Sequence, residues 1–230
     1  MATRTVGIVG LGLFGRRVAL TLTDLGTDVV AVDRDATLVD QLKNRVMHAV
    51  CLDVTDEAAL RESGLLACDL IVVAIGEDMG SSILITAQLR KHGVQHVIGR
   101  SHSELHAQVL HTVGAERTLD PEEEMGMRLA QEIFAPDVFA RIRLSTGQDV
   151  IEVRAHQSFV GRTVADLNFR QKYRLNIIAS KRLRTGRNPS DASPEAWEVV
   201  KLPAPTDVLH EEDKLVLIGD TEMVQTFLEL

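Results

Sequence analysis

The sequence predicts an α/β chain, a doubly wound parallel sheet followed by a smaller α+β domain, on three observations. Short β-branched runs alternate with stretches of helical periodicity from residue 5 to about residue 97, and strands separated by helices of that length imply right-handed crossovers into one parallel sheet. A glycine-rich turn, Gly10-Leu-Gly12-Leu-Phe-Gly15, separates the first run from the first helical stretch. Aromatic residues make up only 3% of the 230, so the interior must be built from Val, Ile, Leu and Ala, which suits a sheet buried on both faces.

In chain order, strands are expected over residues 5–9, 29–32, 46–51, 70–74 and 96–98. Helices are expected between them, near 13–25, 35–44, 56–63, 78–92 and 103–112. Asp56, Asp78 and Ser103 are suited to cap helix N-termini, because a short polar side chain accepts from the free amides of the first turn. Gly26, Gly64, Gly93 and Gly114 are placed to end helices. A sixth short strand is expected at 116–119, and Asp120-Pro121 then opens a helix running to about Phe134.

After Ala135-Pro136 the pattern changes, so the chain divides into 1–136 and 137–230. The second part carries strand-like runs at 140–144, 149–155, 175–181, 197–201 and 214–218, with helices expected at 164–173 and 221–230. The stretch 184–194 is polar and rich in breakers, the signature of an exposed loop.

Composition narrows the function. A formal charge of −8 with no block of Lys and Arg argues against nucleic acid, since phosphate binding needs clustered cations. The longest apolar run, at 70–76, falls far short of the roughly 18 to 20 residues a membrane span requires. The start of the chain, MATRTVGIVG, runs into a strand pattern with no export signal, and a cytoplasmic protein is expected. Cys51 and Cys68 lack the paired spacing of metal or redox sites, so both are expected to be buried and reduced.

The glycine turn carries the chemistry. Gly10 permits the tight turn, Gly12 lets the backbone approach a pyrophosphate, and Gly15 allows the helix to pack on the strand. Amides at that helix N-terminus bind phosphate oxygens. Asp33 ends the second strand about twenty residues further on, where a carboxylate accepts from ribose hydroxyls and repels a 2′-phosphate, which disfavours NADP. Arg34 beside it works the other way. Asp53, past the third strand, either contacts the base of a nucleotide or caps the following helix. This is a Rossmann-like domain. The histidines at 92, 96, 102, 106 and 111 lie on or beside two helices with no paired acid, and are expected to be solvated. With no phosphate-binding Gly-x-x-x-x-Gly-Lys loop either, the nucleotide is expected to be read rather than consumed.

Five tracts, VGIVGLGLFG, VVAVDRD, CLDVTDEAALRESGL, DLIVVAIGEDMGSSILITAQLRKHG and VGAERTLDPEEEMGMRLAQEI, occur in order through the first part. They resemble the RCK (KTN) family, of the KtrA/TrkA type, which regulates bacterial potassium uptake. VRAHQSFVGRTVADLNFRQKYRLNIIASKR and LPAPTDVLHEEDKLVLIGDTEMV resemble the RCK C-terminal domain. The resemblance implies ATP/ADP or NAD(H) in the first domain and dimers assembling into an octameric ring on a membrane-embedded potassium channel or transporter. By position it implies phosphates at Gly10, Gly12 and Gly15, ribose at Asp33 and the adenine side at Asp53, with Leu13, Phe14, Arg34 and Val54 also among the residues that bind the nucleotide. Ala74, Ile75 and Gly76 would form the floor, with Arg100 near the phosphates. Glu122 matches a family carboxylate that can hold a cation (Mg2+, Ca2+ or Na+), or serves the dipole of its helix. Val164, Arg170 and Ile177 match a region where some relatives bind cyclic di-AMP, although a surface arginine on an amphipathic helix is the slightly favoured reading of Arg170. Leu13 departs from the family loop, which commonly has arginine there, so a charge-assisted bond to a terminal phosphate is lost.

Two functions follow: a nucleotide-switched regulatory subunit without chemistry of its own, and an NAD-dependent oxidoreductase. The second would need a converging His, Tyr and Lys set that the second domain does not offer.

Overall fold

The computed structural model describes residues 4–184 and 197–229; most of the polar loop expected at 184–194 lies outside them. The chain forms two compact units, 1–126 and 127–230, the division falling inside one helix.

The first unit is a six-stranded parallel sheet of β1 (Thr5–Val9), β2 (Asp28–Asp33), β3 (His48–Cys51), β4 (Leu70–Val73), β5 (Val97–Arg100) and β6 (Arg117–Leu119), ordered β3-β2-β1-β4-β5-β6. The order reverses between β1 and β4, and open α/β sheets bind ligands at the carboxyl ends of the strands flanking such a switch point. Residues Val29 to Val32 are all buried, Val30 and Val32 in one core cluster and Val29 and Ala31 in another. Both faces of the sheet are therefore covered, as a run without polar alternation requires.

The helices are α1 (Leu13–Asp24), α2 (Ala36–Asp40), α3 (Glu57–Glu62), α4 (Met79–Lys91), α5 (Glu104–Thr112) and α6 (Pro121–Phe134). Asp56, Asp78 and Ser103 cap α3, α4 and α5 by accepting from the amides of Ala59, Ser81 and His106. Gly26, Gly64, Gly93 and Gly114 all take positive φ. The expected helix at 35–44 is shorter, with turns following Asp40. Cys68 is buried, and burial pushes its thiol up to about 11. Cys51 corrects the expectation of two buried cysteines: it ends the edge strand β3 and is exposed.

The second unit is a five-stranded antiparallel sheet of β7 (Val138–Arg143), β8 (Gln148–Arg154), β9 (Asn176–Leu183), β10 (Trp197–Lys201) and β11 (Lys214–Asp220), ordered β10-β9-β11-β8-β7. Here burial alternates along β8, so one face carries the core. Ile151, Val153, Leu215 and Leu217 pack there with α9 (Thr221–Leu228) and an aromatic cluster of Phe159, Phe169, Tyr173 and Phe227. The single helix expected at 164–173 is two short ones, α7 (Val164–Leu167) and α8 (Phe169–Lys172). Asn168 breaks it by adopting the left-handed conformation at φ 44°, which asparagine tolerates better than most residues. A capping box between Thr163 and Asp166 opens α7.

Charged groups tie this sheet together. Asp149 is fully buried and accepts from Arg141 at 2.6 Å and from the Thr221 hydroxyl at 3.0 Å. Burial alone would raise its pKa, but these partners and Arg143 hold it below the ordinary carboxylate value. Asp213 is likewise buried and takes both Nε and a terminal nitrogen of Arg182, at 3.0 and 2.9 Å. The ammonium of Lys214 lies 3.8 Å from the Phe139 ring centre and 3.9 Å from that of Trp197, and its burial depresses its pKa.

Candidate nucleotide site

The carboxyl ends of β1, β2, β4 and β5 surround a cleft of about 700 Å³, within the range of small-molecule sites. The glycine turn forms one wall. Gly10 has φ +91°, and a Cβ there would press on the backbone amide of Ile75. A Cβ on Gly12 would meet nothing within 4 Å, so its backbone is open to a ligand. Gly12 is the N-cap of α1 and no side chain caps that helix, which leaves its N-terminus free for an anion. These features fit the pyrophosphate of a nucleotide.

Gly15 is placed differently from the expected phosphate contact. It does not line the cleft; a Cβ on it would fall 1.9 Å from the Gly10 carbonyl and 3.0 Å from Ala74. Its smallness lets α1 lie against β1 and so sets the turn.

Asp33 lines the cleft and holds the turn in shape, its two oxygens accepting from the amides of Leu11 at 2.6 Å and Asp35 at 2.9 Å. A carboxylate has about four acceptor sites, so capacity for ribose hydroxyls is left. Arg34, Val54, Ala74, Ile75 and Gly76 also line the cleft, as do Leu13 and Phe14. Asp53 does too, and it does not cap the following helix, a role taken by Asp56. Hydrogen bonds from the Thr55 hydroxyl and amide lower the pKa of Asp53. Leu13 is 83% exposed at the rim.

Arg100 and Glu122 reach the same cleft as an ion pair, and the guanidinium stands 5.6 Å from the Phe14 ring centre. Gly76 makes room for it, since a Cβ there would sit 2.9 Å from an Arg100 nitrogen. Among the described residues no group of three or more His, Cys, Asp or Glu side chains is arranged to hold a metal.

Several lining residues were not anticipated, among them Glu77, Asp78, Ser81 and His102. Their signal was available: each follows soon after the carboxyl end of β4 or β5, where open sheets place ligands. The expectation of solvated histidines fails at His106, which is 3% exposed. The Ser82 hydroxyl donates to the Met79 carbonyl and therefore accepts from His106 Nε2, at 3.0 Å. Burial, then the neighbouring His102, lowers the pKa of His106. His102 stacks on it with ring centres 5.7 Å apart.

In the second unit, Val164 and Ile177 pack partly buried against the aromatic core, while Arg170 is exposed on α8.

An open parallel sheet, a glycine turn with an uncapped helix behind it and an acid ending β2 define a Rossmann-like domain. The chain belongs to the family of TrkA-type potassium uptake proteins: the TrkA-N domain matches residues 6–121 and the TrkA-C domain residues 150–230. It is 34% identical to Ktr system potassium uptake protein C of Bacillus subtilis (strain 168), over 96% of this chain and 94% of that one. It is 29% identical to Ktr system potassium uptake protein A of the same organism, over 96% and 93%. Among solved structures, the GsuK RCK domain superposes with TM-score 0.54 at 21% identity, covering 99% of this chain and 46% of that chain. The GsuK channel bound to NAD superposes with TM-score 0.53 at 21% identity, covering 99% and 38%. These likenesses show a shared RCK fold, and this chain spans under half the length of those chains. The family is one of potassium uptake proteins and not of oxidoreductases, which removes the enzyme alternative.

Proposed function

We propose that the chain is a cytoplasmic regulatory subunit of a potassium uptake system, switching a membrane-embedded channel or transporter in response to an adenine nucleotide, ATP/ADP or NAD(H), bound in the first domain. The observation that carries this is the cleft itself, which gathers the glycine turn, Asp33, Asp53 and Arg100 around one cavity. The Ktr names of its relatives and the NAD-bound GsuK channel support it. Among the described residues no helix is long and apolar enough to cross a membrane, so attachment to the inner face of the membrane would run through the partner.

Assembly into dimers and an octameric ring belongs to the same proposal. It is supported by α6, none of whose residues is buried and which exposes Met125, Met127, Leu129, Ile133 and Phe134, a kind of surface that marks an interaction site. Nucleotide exchange would then bias two ring geometries that fit the pore differently. A cation (Mg2+, Ca2+ or Na+) at Glu122 would need further donors from the ligand or a second subunit. Cyclic di-AMP in the second domain would use Val164, Arg170 and Ile177, the exposed guanidinium of Arg170 meeting a phosphate.

Titration calorimetry of ADP and NAD+ against the whole chain and Asp33→Ala tests the central claim. Binding weakened at least about tenfold by the substitution, about 1.4 kcal/mol, is the expected result; no binding to the unaltered protein defeats it.

A further inference from the structure

The cleft is acid-lined, which is unusual company for a phosphate. Asp33, Asp53, Glu77, Asp78 and Glu122 line it against Arg34 and Arg100, five carboxylates to two guanidiniums, leaving three negative charges. The cations are partly spent as well, because Arg100 is paired with Glu122. The two helix N-termini nearby are unequal: α1 is uncapped, whereas the N-terminus of α4 is occupied by Asp78, which accepts from the Ser81 amide at 2.9 Å and hydroxyl at 2.7 Å. Leu13 brings no charge to the rim. The cleft therefore offers one place that welcomes an anion and a surrounding field that opposes further negative charge.

Ligand charge differs with esterification. A terminal phosphate carries roughly 1.5 to 2 negative charges at neutral pH, while each phosphate of a doubly esterified pyrophosphate carries one. We infer that the cleft selects among adenine nucleotides by charge, taking a dinucleotide, whose pyrophosphate is esterified at both ends, in preference to an uncomplexed nucleoside triphosphate. The selection presupposes the adenine-nucleotide reading of the cleft and adds to it a ligand class and a cause. A triphosphate becomes acceptable only when a divalent cation neutralises part of its charge.

The test is calorimetric titration of NAD+, ADP and ATP into the whole chain in EDTA, at low and at high potassium chloride, repeated with Leu13→Arg and Glu122→Gln. At low salt NAD+ is expected to bind at least about tenfold tighter than ATP, with ADP between them, and the gap should shrink severalfold at high salt as screening weakens the field. Both substitutions should raise ATP affinity severalfold and change NAD+ affinity less, and Mg2+ should help ATP more than NAD+. ATP binding as tightly as NAD+ in EDTA overturns the inference, and so does a gap indifferent to salt and to both substitutions. If none of the three nucleotides binds, the nucleotide reading itself fails, a result distinct from the wrong order of affinities.

Discussion

The two units place their charged groups in opposite ways. In the first, the carboxylates Asp33, Asp53, Glu77 and Asp78 stand at strand ends and line an open cleft, while the sheet interior is aliphatic on both faces. In the second, Asp149 and Asp213 are buried and bind arginines from other strands or turns, and Lys214 is sandwiched between aromatic rings. The parallel sheet holds itself by apolar burial, which frees its polar groups for a ligand. The antiparallel sheet has a core on one face only and recruits ion pairs to lock its strands.

The comparison can be broken first at the aromatic cluster. Phe159 is 1% exposed and touches the rings of Phe169, Tyr173 and Phe227; Phe159→Ala should cost about 3 to 5 kcal/mol in urea unfolding and leave nucleotide affinity unchanged. Asp149→Ala comes next. Removing one partner of a buried pair costs about 3 to 5 kcal/mol; because the Arg141 side chain is 34% exposed, about 3 kcal/mol is expected after allowance for solvent screening.

Acid should reach the same pair. The folded pKa of Asp149 lies below its unfolded value, so the stability it supplies is complete above about pH 4 and is lost as pH falls through the folded pKa, when the unfolded chain binds the proton more readily. Circular dichroism melts across that range should show a steeper acid loss in the unaltered protein than in Asp149→Asn.

The glycine turn sharpens the contrast from the other side. Gly12→Ala meets open space in the fold and should keep the melting temperature while weakening nucleotide binding at least about tenfold, or 1.4 kcal/mol. A loss of stability with binding intact would reverse the roles assigned to the two units. The smallest effect is expected at Thr163, whose hydroxyl caps α7; Thr163→Ala should cost about 1 kcal/mol, measured by urea unfolding.

The parallel sheet was legible because its signals are local. Unbroken apolar runs mark its strands, Gly10 and Gly12 mark the turn, and Asp33 follows at the spacing that a second strand imposes. The acid lining of the cleft was partly hidden: Asp78 read as a helix cap, which it is, and its position on the cleft wall depends on β4 and β1 being neighbours. His106 read as a surface residue, although its spacing of four from Leu110, also buried, was a helical-face signal. The break at Asn168 left only a faint trace: Leu167 and Phe169, both buried, stand two residues apart, a spacing that one helical face does not allow. The strand pairing that brings Arg141 to Asp149 is tertiary, and charge along the sequence does not reveal it.

The cage around Lys214 has a practical consequence for spectroscopy. Trp197 is the chain's one tryptophan and Tyr173 its one tyrosine, and both belong to the second unit. Intrinsic ultraviolet emission thus reports on that unit alone, with a cation 3.9 Å from the indole centre as a built-in sensor of its opening. The first unit holds neither residue, so its opening is silent in that emission.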